Sequence, residues 1–183
     1  MQQVTFTRMD EGTQEDYQLA RVEETEMIAD FPDKVLGWLK EMDVPSVYLI
    51  SRYEHSLQAA TRAHRAGEDE EMVVATLLHD VGDVLAPANH SEVAAAMLRP
   101  YVSDRVYWII KHHGLFQGYF YNHHFGEDRY LRDQYKDHKW YPDTVRFCAE
   151  YDQVSFDPAY DSEDLEFFEP MVRRQLAAPT YTQ

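Results

Sequence analysis

The chain has 183 residues, which suits one domain with a substantial core and leaves little room for two. Its formal net charge of −16 opposes binding to a nucleic-acid backbone, which calls for a basic face, and no apolar run approaches the length of a membrane span. A single cysteine, Cys148, excludes an internal disulfide and, with a polar start that carries no apolar secretory stretch, points to the cytoplasm.

Residues 1–12 read as a polar arm and 13–183 as one all-helical domain. Thr13 to Ile28 has a capping residue and scattered apolar positions (Leu19, Val22, Met27, Ile28), an acidic helix. Val35, Leu36 and Leu39 recur at helical spacing within Asp33 to Met42, and Pro45 breaks the chain after them. From Ser46 to Ala66 the apolar residues Leu49, Ile50, Tyr53, Leu57, Ala60 and Ala63 predict an amphipathic helix that ends at Gly67. Glu70 to Asp80 reads as a buried helix. Pro87 interrupts, and Asn89 or His90 opens the next helix through Leu98. Ser103 caps a helix from Asp104 to about His113, and an aromatic connection (Tyr119, Phe120, Tyr121, Phe125) leads into a polar stretch from Glu127 to Lys139. Pro142 to Gln153 and Asp164 to Leu176 complete a helical bundle without repeats or strand hairpins.

On this framework sit His55, the pair His79-Asp80, His90, His113 and Asp152. Four imidazoles and two carboxylates are enough to hold two metal ions, and without a thiolate they suit iron, zinc, manganese or nickel. Adjacent residues point about 100° apart on a helix, so His79 and Asp80 converge only near a helix end or kink, which Gly82 supplies. A carboxylate can use both oxygens, and Asp80 can bridge ions about 3.5–4 Å apart. Singly, each position has an ordinary alternative. His55 beside Tyr53 and Leu57 is a core histidine, His90 a first-turn residue, and Asp152 a helix-end carboxylate. Their joint order changes the balance.

That order resembles the HD-domain superfamily of metal-dependent phosphohydrolases and oxygenases, from about His55 to Asp157. Tyr53-Glu54-His55-Ser56-Leu57 is similar to its first-histidine helix, Leu78-His79-Asp80-Val81-Gly82 to its signature, and Glu150-Tyr151-Asp152 to its distal aspartate. His90, in Asn89-His90-Ser91-Glu92, and His113, in Lys111-His112-His113-Gly114, resemble the extra ligands of two-metal members. His112 competes with His113, and the following Gly114-Leu115-Phe116 favours His113. The resemblance implies a single HD-domain helical bundle with its metal-binding core at about 46–157. It assigns His55, His79, Asp80 and Asp152 to one ion, and Asp80, His90 and His113 to the other.

Within the superfamily, Ile110 to Phe116 and Val145-Arg146-Phe147 are most like the diiron oxygenase branch, which includes myo-inositol oxygenase and the phosphonate-cleaving HD enzymes. This implies a mixed-valent Fe(II)/Fe(III) pair that binds a small substrate through its hydroxyl and uses O2 for C–H abstraction and oxidative bond cleavage. The alternatives are a hydrolase of a nucleotide or phosphate ester, loaded with manganese, zinc or another divalent ion, and a non-catalytic regulatory domain. Asp83 stands where many HD enzymes carry a basic residue, and the Tyr-x-x-Glu lid of the phosphonate enzymes finds no match at Pro45 and Tyr48. Asp83 and Lys111 are the candidate substrate contacts, and Arg129, Arg132, Lys136 and Lys139 further cations within reach of a cleft. Tyr119 and its aromatic neighbours read either as core or as a lid over the metals. His123 and His124 read as cleft-lining or structural, and His64 and His138 as surface.

Overall fold

Helix starts are encoded locally. Thr13 with Asp16, and Ser51 with Glu54, form capping boxes that open α1 (Gln14–Ala29) and α3 (Arg52–Arg65). Asp69, Ser103 and Asp164 each accept a backbone N–H to open α4 (Glu70–Leu77), α6 (Asp104–Tyr121) and α8 (Leu165–Gln175). In each case a side-chain oxygen satisfies a donor that the first helical turn leaves without an intrahelical partner. Pro32 and Pro142 occupy the first turns of α2 (Phe31–Glu41) and α7 (Tyr141–Phe147), where a missing N–H costs nothing. α5 (His90–Leu98) follows Asn89 with no side-chain cap. The structure, a computed structural model, describes residues 2–180; Met1 and 181–183, the extremities of the predicted arm and domain, lie outside the described residues. Among the described residues there is no strand, and no helix is long and apolar enough to cross a membrane.

The elements depart from the sequence expectation in three places. The helix expected from Ser46 begins only at Arg52, because Ser51 caps it; Val47 and Leu49 stay 96% and 82% exposed, and of the preceding apolar residues only Ile50 is buried. α6 does not end near His113 but runs through Tyr121, since burial at Val106, Ile109, Ile110 and His113 continues to Phe116 and Gly118. Of the expected aromatic connection, Tyr119, Phe120 and Tyr121 form the end of α6 and Phe125 closes the 3-10 segment that follows, Asn122–Phe125. The helix expected from Pro142 to Gln153 is α for its first half and then widens into a π turn, Cys148–Asp152. Such a turn shifts the register of the side chains that follow it.

α3 packs on α4, α5 on α6, and α7 with its π turn against α6, while α8 crosses α4 and α2. α4 is buried from Met72 to Leu77, as expected of a helix surrounded by others. Leu77, Leu78, Ala94, Leu98, Ile109, Ile110, Phe116 and Phe147 form the centre of the core. α1, whose only buried residue is Asp16, lies outside it. The polar residues of the next section are drawn from α3, α5, α6, the π turn and the segment after α4.

Candidate metal centre

The six residues come from five separate segments. His55 lies in the first turn of α3, His90 opens α5, His113 sits mid-way along α6, and Asp152 closes the π turn. His79 and Asp80 follow the end of α4, in a turn that runs into a 3-10 segment, Val81–Val84. Freed from helical geometry, the adjacent pair turns both side chains to one region. Gly82 does not make this break, because α4 already ends at Leu77. It is needed for room: a Cβ there would stand 2.2 Å from the His90 carbonyl oxygen.

The nitrogen and oxygen donors form two overlapping groups. His55, His79 and Asp152 offer ligand atoms that all lie within 4.8 Å of one another, as do His79, Asp80 and His113. His55 Nε2 is 3.3 Å from His79 Nε2 and 3.4 Å from Asp152 Oδ1. Asp80 divides its oxygens. Oδ2 faces His79 Nε2 at 3.5 Å and His55 Nε2 at 3.7 Å, whereas Oδ1 faces His113 Nε2 at 3.2 Å and His90 Nε2 at 3.5 Å. His90 thus joins the second group through Asp80 rather than by close approach to His79. His112, the competitor of His113, points away, with its Nδ1 2.8 Å from the Trp108 carbonyl and its ring stacked on Trp108.

Nδ1 of His55, His79 and His113 lies 2.8, 2.7 and 2.7 Å from the carbonyl oxygens of Ser155, Thr76 and Ile110. A proton on Nδ1 leaves Nε2 as a lone-pair donor, so these contacts select the tautomer that ligates metal. The Cys148 thiol contacts the His113 carbonyl at 3.5 Å and is held protonated by burial, far from thiolate chemistry.

Electrostatics favour a cation here. Burial works against ionisation of Asp80 and Asp152, but His79 and His113 hold Asp80 well below the ordinary carboxylate range, and His55 and His79 do the same to Asp152. Burial also opposes protonation of His55 and His79, and the same two carboxylates outweigh it, raising both above the usual 6.5. His90 differs: burial lowers its pKa and Asp80 offsets only part of that. The carboxylates that favour a proton on His55 and His79 would likewise favour a divalent ion among these donors. Asp152 Oδ2 is buried with no partner, a free ligand atom aimed inward. The donor set fits metal.

A cavity of about 610 Å³ opens over the centre, lined by His55, Asp80, His90, His113 and Asp152 on its floor. Tyr48, Phe120, Tyr121, Phe125 and Phe156 wall it, together with Gln117 and Gln153. Asp83 lines it too, but forms an ion pair with Arg52 and faces His90, so its charge is already engaged. Lys111 lies outside the lining, with its ammonium 5.9 Å from the Tyr107 ring centre, and Arg129, Arg132, Lys136 and Lys139 do not line it either. Tyr119 also points elsewhere, between the Arg129 and Arg132 guanidinium groups, which removes it as a lid; Phe120 and Tyr121 take the wall. His123 and His124 are exposed and stack on each other away from the cavity, His64 is exposed, and His138 is half-buried on Trp108 rather than free at the surface.

Sequence reasoning missed Arg52, Gln117 and Phe156. Arg52 had a signal, the capping box that fixes where α3 starts. Gln117, which donates to Asp152 Oδ1 at 2.9 Å, lies one helical turn after His113 on the same face. Phe156, stacked on His55 with ring centres 4.5 Å apart, had none, because only the turn after Asp152 brings it there.

The HD domain family model matches residues 52–155, more than half the chain, from the first residue of α3 to just beyond the π turn. All six residues of the cluster fall inside that stretch. No curated protein matches the chain.

Proposed function

Because the chain belongs to the HD-domain family and gathers a buried His/Asp cluster fit for metal, we propose that this metal-dependent enzyme is a mixed-valent diiron oxygenase acting with O2 on a small hydroxylated substrate. The carrying observation is Asp80, whose two carboxylate oxygens face separate histidine pairs, His55/His79 and His90/His113. A carboxylate so placed supports two adjacent ions, with His55, His79 and Asp152 serving one and His90 and His113 the other. Two irons would supply a Lewis-acidic position for a substrate hydroxyl and an electron source for O2.

The residues of the chain do the rest. Tyr48, Tyr121, Phe125 and Phe156 restrict water above the centre, and Gln117 and Gln153 offer amides to a polar substrate. Gln117 also holds Asp152 in place. Among the described residues Arg52 is the one Lys or Arg side chain that lines the cavity, and its pairing with Asp83 favours a small substrate over a nucleotide or phosphate ester. A phosphate-binding cleft calls for free cations or clustered N–H donors.

The test is anaerobic loading with iron, partial reduction and electron paramagnetic resonance. A coupled Fe(II)/Fe(III) signal, followed by O2 uptake dependent on a hydroxylated compound, is the expected result. A protein that instead holds two manganese or zinc ions and releases phosphate from esters without O2 would be a phosphohydrolase, and the oxygenase reading would fall.

A further inference from the structure

Three of the four imidazoles at the centre are anchored by main-chain carbonyls within 2.8 Å. His90 is not. Its Nδ1 stands 3.4 Å from the Pro87 carbonyl and 3.4 Å from Asp83 Oδ1. Its side chain is 27% exposed, against 3%, 0% and 2% for His55, His79 and His113. Asp83 is only 9% exposed although it borders the cavity, and it also pairs with Arg52 at the start of α3. A carboxylate removed from water to that degree is costly unless its partners are cations or strong donors.

The backbone around His90 is shaped to keep this contact. Gly82, directly before Asp83, brings the 3-10 segment against the His90 backbone, closer than any residue with a Cβ allows. On the other side a Cβ at Gly114 would meet Ser91 Oγ at 2.6 Å and His90 Nε2 at 3.6 Å. His90 thus sits in a slot cleared by two glycines, and the one side-chain acceptor its Nδ1 faces in that slot is Asp83.

We propose that Asp83 is the positioning residue for the second ion: it accepts the Nδ1–H of His90, and Arg52 holds its carboxylate in place. The inference rests on the two-ion reading given above and deepens it. An imidazole that ligates through Nε2 donates from Nδ1, and a carboxylate acceptor fixes both its tautomer and its orientation while making Nε2 a stronger donor. Main-chain anchors are set by the fold itself. His90 differs in pairing a longer main-chain contact, 3.4 Å to the Pro87 carbonyl, with a side-chain carboxylate, so its imidazole is the one whose orientation depends on Asp83.

Titration of Mn(II) into the metal-free protein, with free Mn(II) followed by electron paramagnetic resonance, separates the two binding steps. Asp83→Asn is expected to weaken the second step by about 10–100-fold and leave the first within about twofold of the parent. An unchanged second step overturns the proposal, and so does equal weakening of both, which would mark general disruption. A parent that binds one ion only would defeat the two-ion reading itself and this inference with it. If circular dichroism shows Asp83→Asn to be unfolded, the long-range 1H–15N spectrum of the Zn(II)-loaded parent decides. A His90 Nδ1–H that exchanges slowly is expected, and one that exchanges as fast as exposed His124 overturns the assignment.

Discussion

The two halves of the centre are built by different means. His55, His79 and Asp152 are at most 5% exposed, and both imidazoles are tied to main-chain carbonyls. The other half shares Asp80 and adds His113, anchored in the same way, and His90, which stands half-open to the cavity with a carboxylate beside it. A rigid, dry half suits an ion that stays. An accessible half suits the positions where substrate or O2 exchange with water, because reaction needs an open coordination site.

The largest expected effect removes the distinction altogether. Asp80 touches all four imidazoles, so Asp80→Ala is expected to lower metal content from about two ions per chain to less than one and to abolish turnover. Metal analysis after anaerobic reconstitution checks it. Retention of two ions would show that Asp80 is not shared.

Protons distinguish the halves next. Asp152 and Asp80 raise His55 and His79 above the ordinary value of 6.5 against the effect of burial, and each must give up its Nε2 proton to ligate, whereas burial lowers half-buried His90. Metal uptake by the buried half should therefore weaken as pH falls and release protons, and uptake by the other half should do so less. Calorimetry in buffers of different ionisation enthalpy counts them. The metal-free protein has the opposite dependence. The raised histidines contribute stability that is present below 6.5 and lost as pH rises through their folded values. The depressed Asp80 and Asp152 contribute stability that is present above 3.8 and lost as pH falls through theirs. Its thermal midpoint is expected to peak between these values and that of the metal-loaded protein at higher pH; a metal-free maximum above pH 8 would contradict the assignment.

Gln117 sharpens the comparison from the buried side. Gln117→Leu removes the donor to Asp152 while keeping the side-chain size, and is expected to weaken the first ion by about 10-fold with little change in the second. The smallest effect on the centre is expected from Tyr119→Ala, which lies outside it. It breaks the stack with Arg129 and Arg132, at 4.1 and 3.6 Å, and should reduce stability by about 1–3 kcal/mol while metal binding and coupling of O2 to product stay intact. Uncoupled O2 use in that variant would restore the lid that the structure argues against.

Much of this was legible because it is local. The caps at Thr13 and Ser103, the stop at Gly67 and the buried run of α4 depend on neighbours in the chain, and all are read correctly from it. Of the boundaries that failed, the start of α3 had a local signal in the Ser51 capping box, and the end of α6 is decided by distant packing. α6 continues past His113 because Phe116 is buried against Tyr135 and Tyr141, residues from another segment. Asp83 reads as a free substrate contact when its neighbours in sequence are considered, and as a paired carboxylate once Arg52 is beside it. Tyr119 and Phe120 are indistinguishable in composition, and only the direction of α6 sends one to the cavity and the other to two arginines.

By itself the sequence determined an all-helical chain carrying four histidines and two aspartates in an order that resembles a metal-dependent family, because helical periodicity, caps and ligand types are properties of short segments. Only the tertiary structure decided that Asp80 splits its oxygens between two histidine pairs, that Arg52 on the cavity wall is paired with Asp83, and that His90 turns its Nδ1 toward a carboxylate. Those are distances between elements far apart in the chain. They follow from how α3, α5, α6 and the π turn pack around the end of α4, which no local pattern encodes.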